Sequence, residues 1–347
     1  MNILDKSTGR RQFLKAGAGL AGLAAIPAFM SAPARAADYG KIGVQLSWVA
    51  NTEFAGEFFA DANGYYKDQG FTGVDIIPGG PSAAPAEIGL MQKKVFYGIS
   101  LPDLTAAAIA KGATVKTVGV QYQKNPFCIA SLKSNPITTP EEMIGKKIGV
   151  QAVNETTWNL FLKLNNIDPA SINKIPAQFD PTPLAVGDVD GWMSFSTNEP
   201  ISLALKGVET EVMMFADHNF ELVSETIVVH NDSIANERDK VKAMLKAEIL
   251  GWKQALKDPE GAAKLAVEVY GKSLGLPMDE QIMQAKAQNE LLVSPYTDAH
   301  GILTISPELI ARNIEILKAN GFDLTADQLF DMSLLDEVYA EDPSLKA

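Results

Sequence analysis

The chain has 347 residues, 46% of them hydrophobic, a single cysteine and a formal net charge of −12. That length and apolar content can bury a core large enough for two domains, and the core must hold without an intramolecular disulfide, since Cys128 has no second cysteine to meet. The acidity excludes nucleic acid and anionic membrane surfaces as favoured partners.

Residues 1–36 read as an address rather than as fold. A basic start (Lys6, Arg10, Arg11, Lys15) leads into an Ala/Gly-rich apolar run from Ala16 to Ala34, and Ala34-Arg35-Ala36 is a small-x-small cleavage site, so the mature chain is expected to begin at Ala37. Arg10-Arg11-Gln12-Phe13-Leu14-Lys15 resembles the twin-arginine export signal, with Gly9 where that motif usually has Ser or Thr. Gly17-Ala18-Gly19-Leu20-Ala21-Gly22 is formally G-x-G-x-x-G, but no strand precedes it, and it carries no dinucleotide-binding expectation. No cysteine follows the signal to take a lipid anchor. Beyond residue 36 the chain carries 25 basic against 41 acidic side chains, and its arginines are Arg238 and Arg312 alone.

The first expected element is a strand in which Val44, Leu46 and Trp48 alternate with Gln45 and Ser47. Asn51 or Thr52 then caps a helix whose apolar face carries Phe54, Phe58 and Ala62, with Gly64 and Gly70 as punctuation. Val74 to Ile77 is a second strand, followed by the turn Pro78-Gly79-Gly80-Pro81-Ser82 and a helix containing Ile88 and Met91. Val95 to Ser100 is the third strand and Leu101 to Lys111 a further helix. After Val115 to Gln121, residues Asn125 to Leu132 read as an extended crossover. A second α/β unit follows, with Lys146 to Val150 as strand, Thr156 to Leu164 as helix and Val189 to Phe195 as strand, and Glu225 to Val229 return the chain to the first domain. From Val241 onward the pattern is helical, with Val241, Leu245, Ile249 and Trp252 on one stripe. This alternation is the α/β signature. Residues 37–130 with 231–347 are expected as one lobe and 131–230 as the other, two crossings making a hinge and a cleft between them.

Leu46-Ser47-Trp48 with Asn51, Gly64-Tyr65-Tyr66-Lys67-Asp68-Gln69-Gly70, Ile77-Pro78-Gly79-Gly80-Pro81, Gly145-Lys146-Lys147-Ile148-Gly149-Val150 and Thr197-Asn198-Glu199-Pro200 together resemble the thiamine-pyrimidine-synthase-like family of ABC-importer substrate-binding proteins. The resemblance covers roughly residues 42–288. It implies a type II periplasmic binding protein fold, two α/β lobes joined by a two-stranded hinge, closing on a small molecule for delivery to a membrane permease driven by an ATPase. The group includes binding proteins for thiamine pyrimidine precursors and riboflavin and is similar to those for nitrate, sulfonates and taurine. It also includes a fungal pyrimidine synthase, whose lysine follows the third-strand Gly-apolar pair and whose histidine comes four residues later. Ser100 and Leu104 stand at those positions here, and the enzyme's cysteine cluster is absent. Without that lysine no Schiff base to pyridoxal phosphate forms, so no catalytic residue and no cofactor are expected. His218, His230 and His300 are widely spaced and match no metal-ligand motif.

The expected cleft residues are aromatic, amide, hydroxyl or acidic: Trp48, Asn51, Phe54, Tyr97, Ser100, Asp103, Phe127, Asn154, Trp158, Trp192, Asn198 and Glu199. Trp158 shares its helix with Phe161 and Leu162 and serves equally as core, and either Trp192 or its neighbour Met193 faces inward. A dedicated anion binder often carries an arginine fork in its cleft, and neither arginine of the mature chain lies near the expected site. A flat heterocycle suits the set, stacked on aromatic faces while Glu199 or Asp103 accepts from an amino substituent and Asn51 and Asn198 fix its orientation. The sequence therefore predicts a soluble, monomeric, periplasmic binding protein for a heterocycle such as a thiamine pyrimidine precursor or riboflavin, delivered to an inner-membrane ABC permease. A sulfonate, nitrate or taurine binder is the nearer alternative and an enzyme the remote one.

Overall fold

The computed structural model describes residues 37–346. The twin-arginine-like motif and the cleavage site lie outside them. Two five-stranded sheets organise the chain, the first in strand order β2-β1-β3-β10-β4 and the second β7-β6-β8-β5-β9. The first is built from β1 (Gly40–Gln45), β2 (Phe71–Ile77), β3 (Tyr97–Ser100), β4 (Val115–Tyr122) and β10 (Ser224–His230); the second from β5 (Phe127–Leu132), β6 (Lys147–Gln151), β7 (Asn173–Ala177), β8 (Gly191–Phe195) and β9 (Thr210–Met214). The expected α/β class is present, with two strands, β7 and β9, that the sequence pattern did not reveal. β7 is largely exposed and carries Asn, Lys and Pro, so neither alternation nor hydrophobicity marks it.

The two sheets repeat one plan. In each, four strands point the same way and the fourth position is filled by an antiparallel strand that arrives from the other sheet: β10 between β3 and β4, β5 between β8 and β9. The chain therefore passes between sheets twice, at 123–126 and 215–223, a few residues before each expected boundary. Because the crossing strands are antiparallel, their N-terminal ends sit beside the C-terminal ends of the parallel strands. Thr226 pairs with Ser100 in one sheet and Phe127 with Phe195 in the other. Ligands of open α/β sheets bind at those carboxyl ends.

Among the helices that matter for the site are α1 (Ala55–Ala62), α2 (Ala86–Met91), α3 (Pro102–Ala110), α4 (Glu155–Leu164), α5 (Glu199–Leu205), α6 (Arg238–Lys257) and α7 (Met278–Leu292). The stripe Val241, Leu245, Ile249 and Trp252 on α6 is fully buried in the first core, against α1. The two helices meet where glycine faces glycine. A Cβ built on Gly56 would stand 2.2 Å from Trp252 Nε1, and one on Gly251 would stand 2.1 Å from the Gly56 carbonyl oxygen. Gly56→Ala is therefore expected to cost about 1–3 kcal/mol by overpacking. Urea unfolding at unchanged m-value checks this, and a loss below about 0.5 kcal/mol would mean that the helix pair can slide apart.

Candidate functional site

A cavity opens at the C-terminal ends of the parallel strands of both sheets. From the first sheet come Leu46, Ser47 and Trp48 after β1, Ile99 to Leu101 at the end of β3, and Glu225 from β10; from the second come Phe127 from β5, Val153 and Asn154 after β6, and Met193 to Phe195 with Asn198 and Glu199 after β8. Glu53, Leu104 and the segment 84–86 complete the wall. The cavity has a volume of about 40 Å³ and is partly open to solvent. Its aromatic walls are Trp48, in contact with Phe179 at 6.4 Å between ring centroids, and Phe127, edge-on to Phe195 at 4.6 Å.

The polar lining is acidic. Glu225 is 1% exposed, and Ser47 Oγ donates to its Oε2 at 2.7 Å. Its backbone has φ +47°, the left-handed region that a bulky non-glycine residue rarely enters. That departure interrupts the extended strand between its pairings with β3 and β4 at the cleft, and strain of this kind collects at functional positions. Glu53 reaches the Glu225 carboxyl from the turn before α1. Burial raises both groups, Glu225 to about 7, and proximity to Glu225 and Glu199 pushes Glu53 up further. Glu199 accepts from the Phe195 N–H at 3.0 Å, and burial outweighs that bond, holding it at about 7. Among the described residues no lysine, arginine or histidine lines the cavity.

Six of the twelve expected residues line this cavity: Trp48, Ser100, Phe127, Asn154, Asn198 and Glu199. Trp48 does so from a loop, because β1 starts at Gly40 and ends at Gln45, earlier than the alternation predicted. The other six are placed elsewhere. Asn51 caps the turn that follows it, its Oδ1 accepting from Glu53 N–H at 3.0 Å. Phe54 is in the first core and Trp158 in the second. Tyr97 points beneath the sheet, where its hydroxyl donates to Glu248 at 2.7 Å. Asp103 accepts from Thr157 Oγ1 at 2.6 Å on the flank of the cleft, and burial raises it to about 6. Trp192 packs against Gly149 in a third apolar cluster, while Met193 takes the inward position.

The expected set left out Ser47, Glu53, Glu225 and Phe195, and of the neighbours Trp192 and Met193 it carried the one that packs away from the cavity. Glu53 had a legible signal, an acid set between Thr52 and Phe54 where the chain enters the expected helix. Glu225 had none, since a carboxylate at a strand start ordinarily faces solvent.

The profile of the family described as NMT1/THI5 like matches residues 51–262, more than half of the chain. The riboflavin-binding protein RibY of Chloroflexus aurantiacus is 25% identical over 314 residues, covering 86% of each chain. The 4-amino-5-hydroxymethyl-2-methylpyrimidine phosphate synthase of Schizosaccharomyces pombe is 26% identical over 233 residues, covering 63% of this chain and 66% of that one. Among solved structures, the periplasmic aliphatic sulphonate binding protein SsuA from Escherichia coli superposes with a TM-score of 0.61 at 15% identity, covering 80% of this chain and 85% of that one. That likeness establishes the periplasmic-binding-protein fold.

Proposed function

The chain belongs to the NMT1/THI5-like family, and from that premise we propose that it is the periplasmic substrate-binding component of an ABC importer, capturing a small flat heterocycle that carries N–H donors. One observation carries this reading: a cavity between two aromatic walls whose charged lining residues are all carboxylates. Carboxylates accept hydrogen bonds from ring N–H and amino groups, and an unpaired buried acceptor costs about 1–3 kcal/mol. The same lining weighs against nitrate, alkanesulfonates and the sulfonate end of taurine, whose negative charge would meet Glu53, Glu199 and Glu225 with no lining cation to offset it. It also weighs against synthase chemistry through pyridoxal phosphate. Ser100 lines the cavity where the enzyme's lysine is expected, its hydroxyl donates to Glu87 at 2.6 Å, and among the described residues no lysine lines the cavity to form the imine.

In this reading the sheet of β1 to β4 with β10 and the sheet of β5 to β9 are the cores of two lobes. The ligand bridges them in the closed state, which a permease with its ATPase recognises, and the mechanism is a population shift. Export to the periplasm fits the periplasmic sulphonate- and nitrate-binding proteins whose structures this chain resembles. Among the described residues no helix is long and apolar enough to cross a membrane.

Thermal unfolding against aminopyrimidines, riboflavin, taurine, alkanesulfonates and nitrate tests the proposal. A ligand at about 100 times its Kd should stabilise by roughly 2.7 kcal/mol. A shift with heterocycles alone supports it, and a shift with sulfonates or nitrate alone overturns it.

A further inference from the structure

The cavity makes more acceptors available than a neutral ring needs. Glu53, Glu199 and Glu225 all line it and are each less than 7% exposed. Glu199 uses one oxygen on the Phe195 N–H, and Glu225 uses one on Ser47. Glu53 and Glu225 meet carboxyl to carboxyl. Two carboxyls in contact hold a proton between them, because both ionised at that separation would repel. A second wall supplies a donor. Asn198, 4% exposed, accepts from Gln284 Nε2 at 2.7 Å through its Oδ1, and its own NH2 group has no partner among the described residues. The unmade bonds therefore call for a ligand with two or more N–H donors and at least one acceptor.

We propose that the Glu53–Glu225 pair determines ligand class: it selects a flat ring bearing a cationic amidine-type N–C–N edge, an aminopyrimidinium included, and gives up its shared proton when that cation binds. This rests on the reading of the cleft as a site for a flat heterocycle. No covalent bond changes. The cation's N–H groups donate to two ionised carboxylates, and the proton they held passes to solvent. The groups that face the pair are Glu199 across the cavity, with Glu280 behind it, Glu57 on α1 and the Tyr122 phenol on β4. All are acids, so the compensating positive charge comes from the ligand. Burial holds Glu225 at about 7 in the free cleft, so the pair keeps its proton through the mildly acidic range.

Calorimetric titration of the purified protein with benzamidine, its neutral isostere benzamide, and riboflavin, each in two buffers of different ionisation enthalpy, tests this. Benzamidine is expected to bind about tenfold or more tighter than benzamide. Its binding should release close to one proton at about pH 6, with affinity rising by up to about tenfold per pH unit until about pH 7. Glu225→Gln and Glu53→Gln should each abolish the proton release and most of the preference for the cation, while thermal unfolding remains cooperative. Benzamide or riboflavin binding at least as tightly as benzamidine, with no proton released, overturns the proposal and leaves the heterocycle reading standing. Binding of no ring compound, from these or from the aminopyrimidine panel, overturns both.

Discussion

Acidifying the protein from about pH 7.5 to about pH 5 is expected to raise its melting temperature by roughly 10 °C, on the order of 5 kcal/mol, the reverse of ordinary acid denaturation. The cause is a set of carboxyls folded into the interior without cations. Burial raises Asp103 to about 6 and Glu199, Glu225 and Glu248 to about 7, and it raises Glu53 and Glu57 as well. Glu248 illustrates the arrangement. Tyr66 and Tyr97 both donate to its Oε1, and Glu57, itself bonded by Gln121 Nε2, stands beside it. Each of these groups is raised above its unfolded value, so the folded chain binds more protons between about pH 4.5 and 7 and the stability they contribute is lost as pH rises through that window. Ionising one carboxyl held at about 7 costs about 3 kcal/mol. Glu53 with Glu225, and Glu57 with Glu248, each keep one proton between two groups, so the pairs count about once each. The opposing groups, Glu142, Asp180, Asp232, Glu337 and Glu341, are lowered by lysine or arginine partners or by local hydrogen bonds, but they are exposed and screened. They bring stability down again only below about pH 4. Scanning calorimetry across the range decides the matter. A melting temperature that falls steadily from pH 7.5 to 5 would show that these carboxyls are ionised in the fold at no cost, and Glu248→Gln should flatten part of the rise.

The pattern of the chain carried the strand ends that face the cleft, and with them Trp48, Ser100, Phe127, Asn198 and Glu199. Trp48, Ser100, Asn198 and Glu199 follow or end an apolar run and Phe127 opens one, so position along the strand is enough to place them. What period-two alternation leaves open is which of two neighbours points inward, and there the structure chose Met193 over Trp192. Asp103 and Tyr97 were visible as polar groups near strand ends, but their partners are 54 and 151 residues away, and only the assembled fold shows that Thr157 and Glu248 already occupy them. Glu225 is the clearest case. Its burial follows from an antiparallel strand inserted between β3 and β4 and from a backbone turned to positive φ, neither of which is local to the residue.

Removing the contacts on both flanks of the cleft, in the double variant Asp103→Ala with Gln284→Ala, is expected to speed dissociation of a bound ring ligand by about 10- to 100-fold. In the two-lobe reading the ligand lies between the sheets, so the sheets must separate to release it. They are joined by a shared apolar cluster, in which Leu101, Leu104 and Val120 meet Phe127, Ile148 and Trp158, and by hydrogen bonds on either flank. Thr157 Oγ1 donates to Asp103 at 2.6 Å on one flank, Gln284 Nε2 donates to Asn198 at 2.7 Å on the other, and Val153 N–H donates to the Pro81 carbonyl at 3.0 Å. Each truncation leaves a buried partner without its hydrogen bond only while the cleft is closed, so its cost of about 1–3 kcal/mol falls on the closed state and lowers the barrier to opening. Stopped-flow dissociation followed by tryptophan fluorescence reads the rate, with Trp48 in the cavity wall as the reporter. Small-angle scattering of the free double variant should show an expanded radius of gyration. Because the two flanks share no partner, the single variants should combine additively within about 0.5 kcal/mol. An unchanged dissociation rate would mean that these bonds do not gate opening, and a double variant no faster than the faster single would mean that one flank is already released before the ligand leaves.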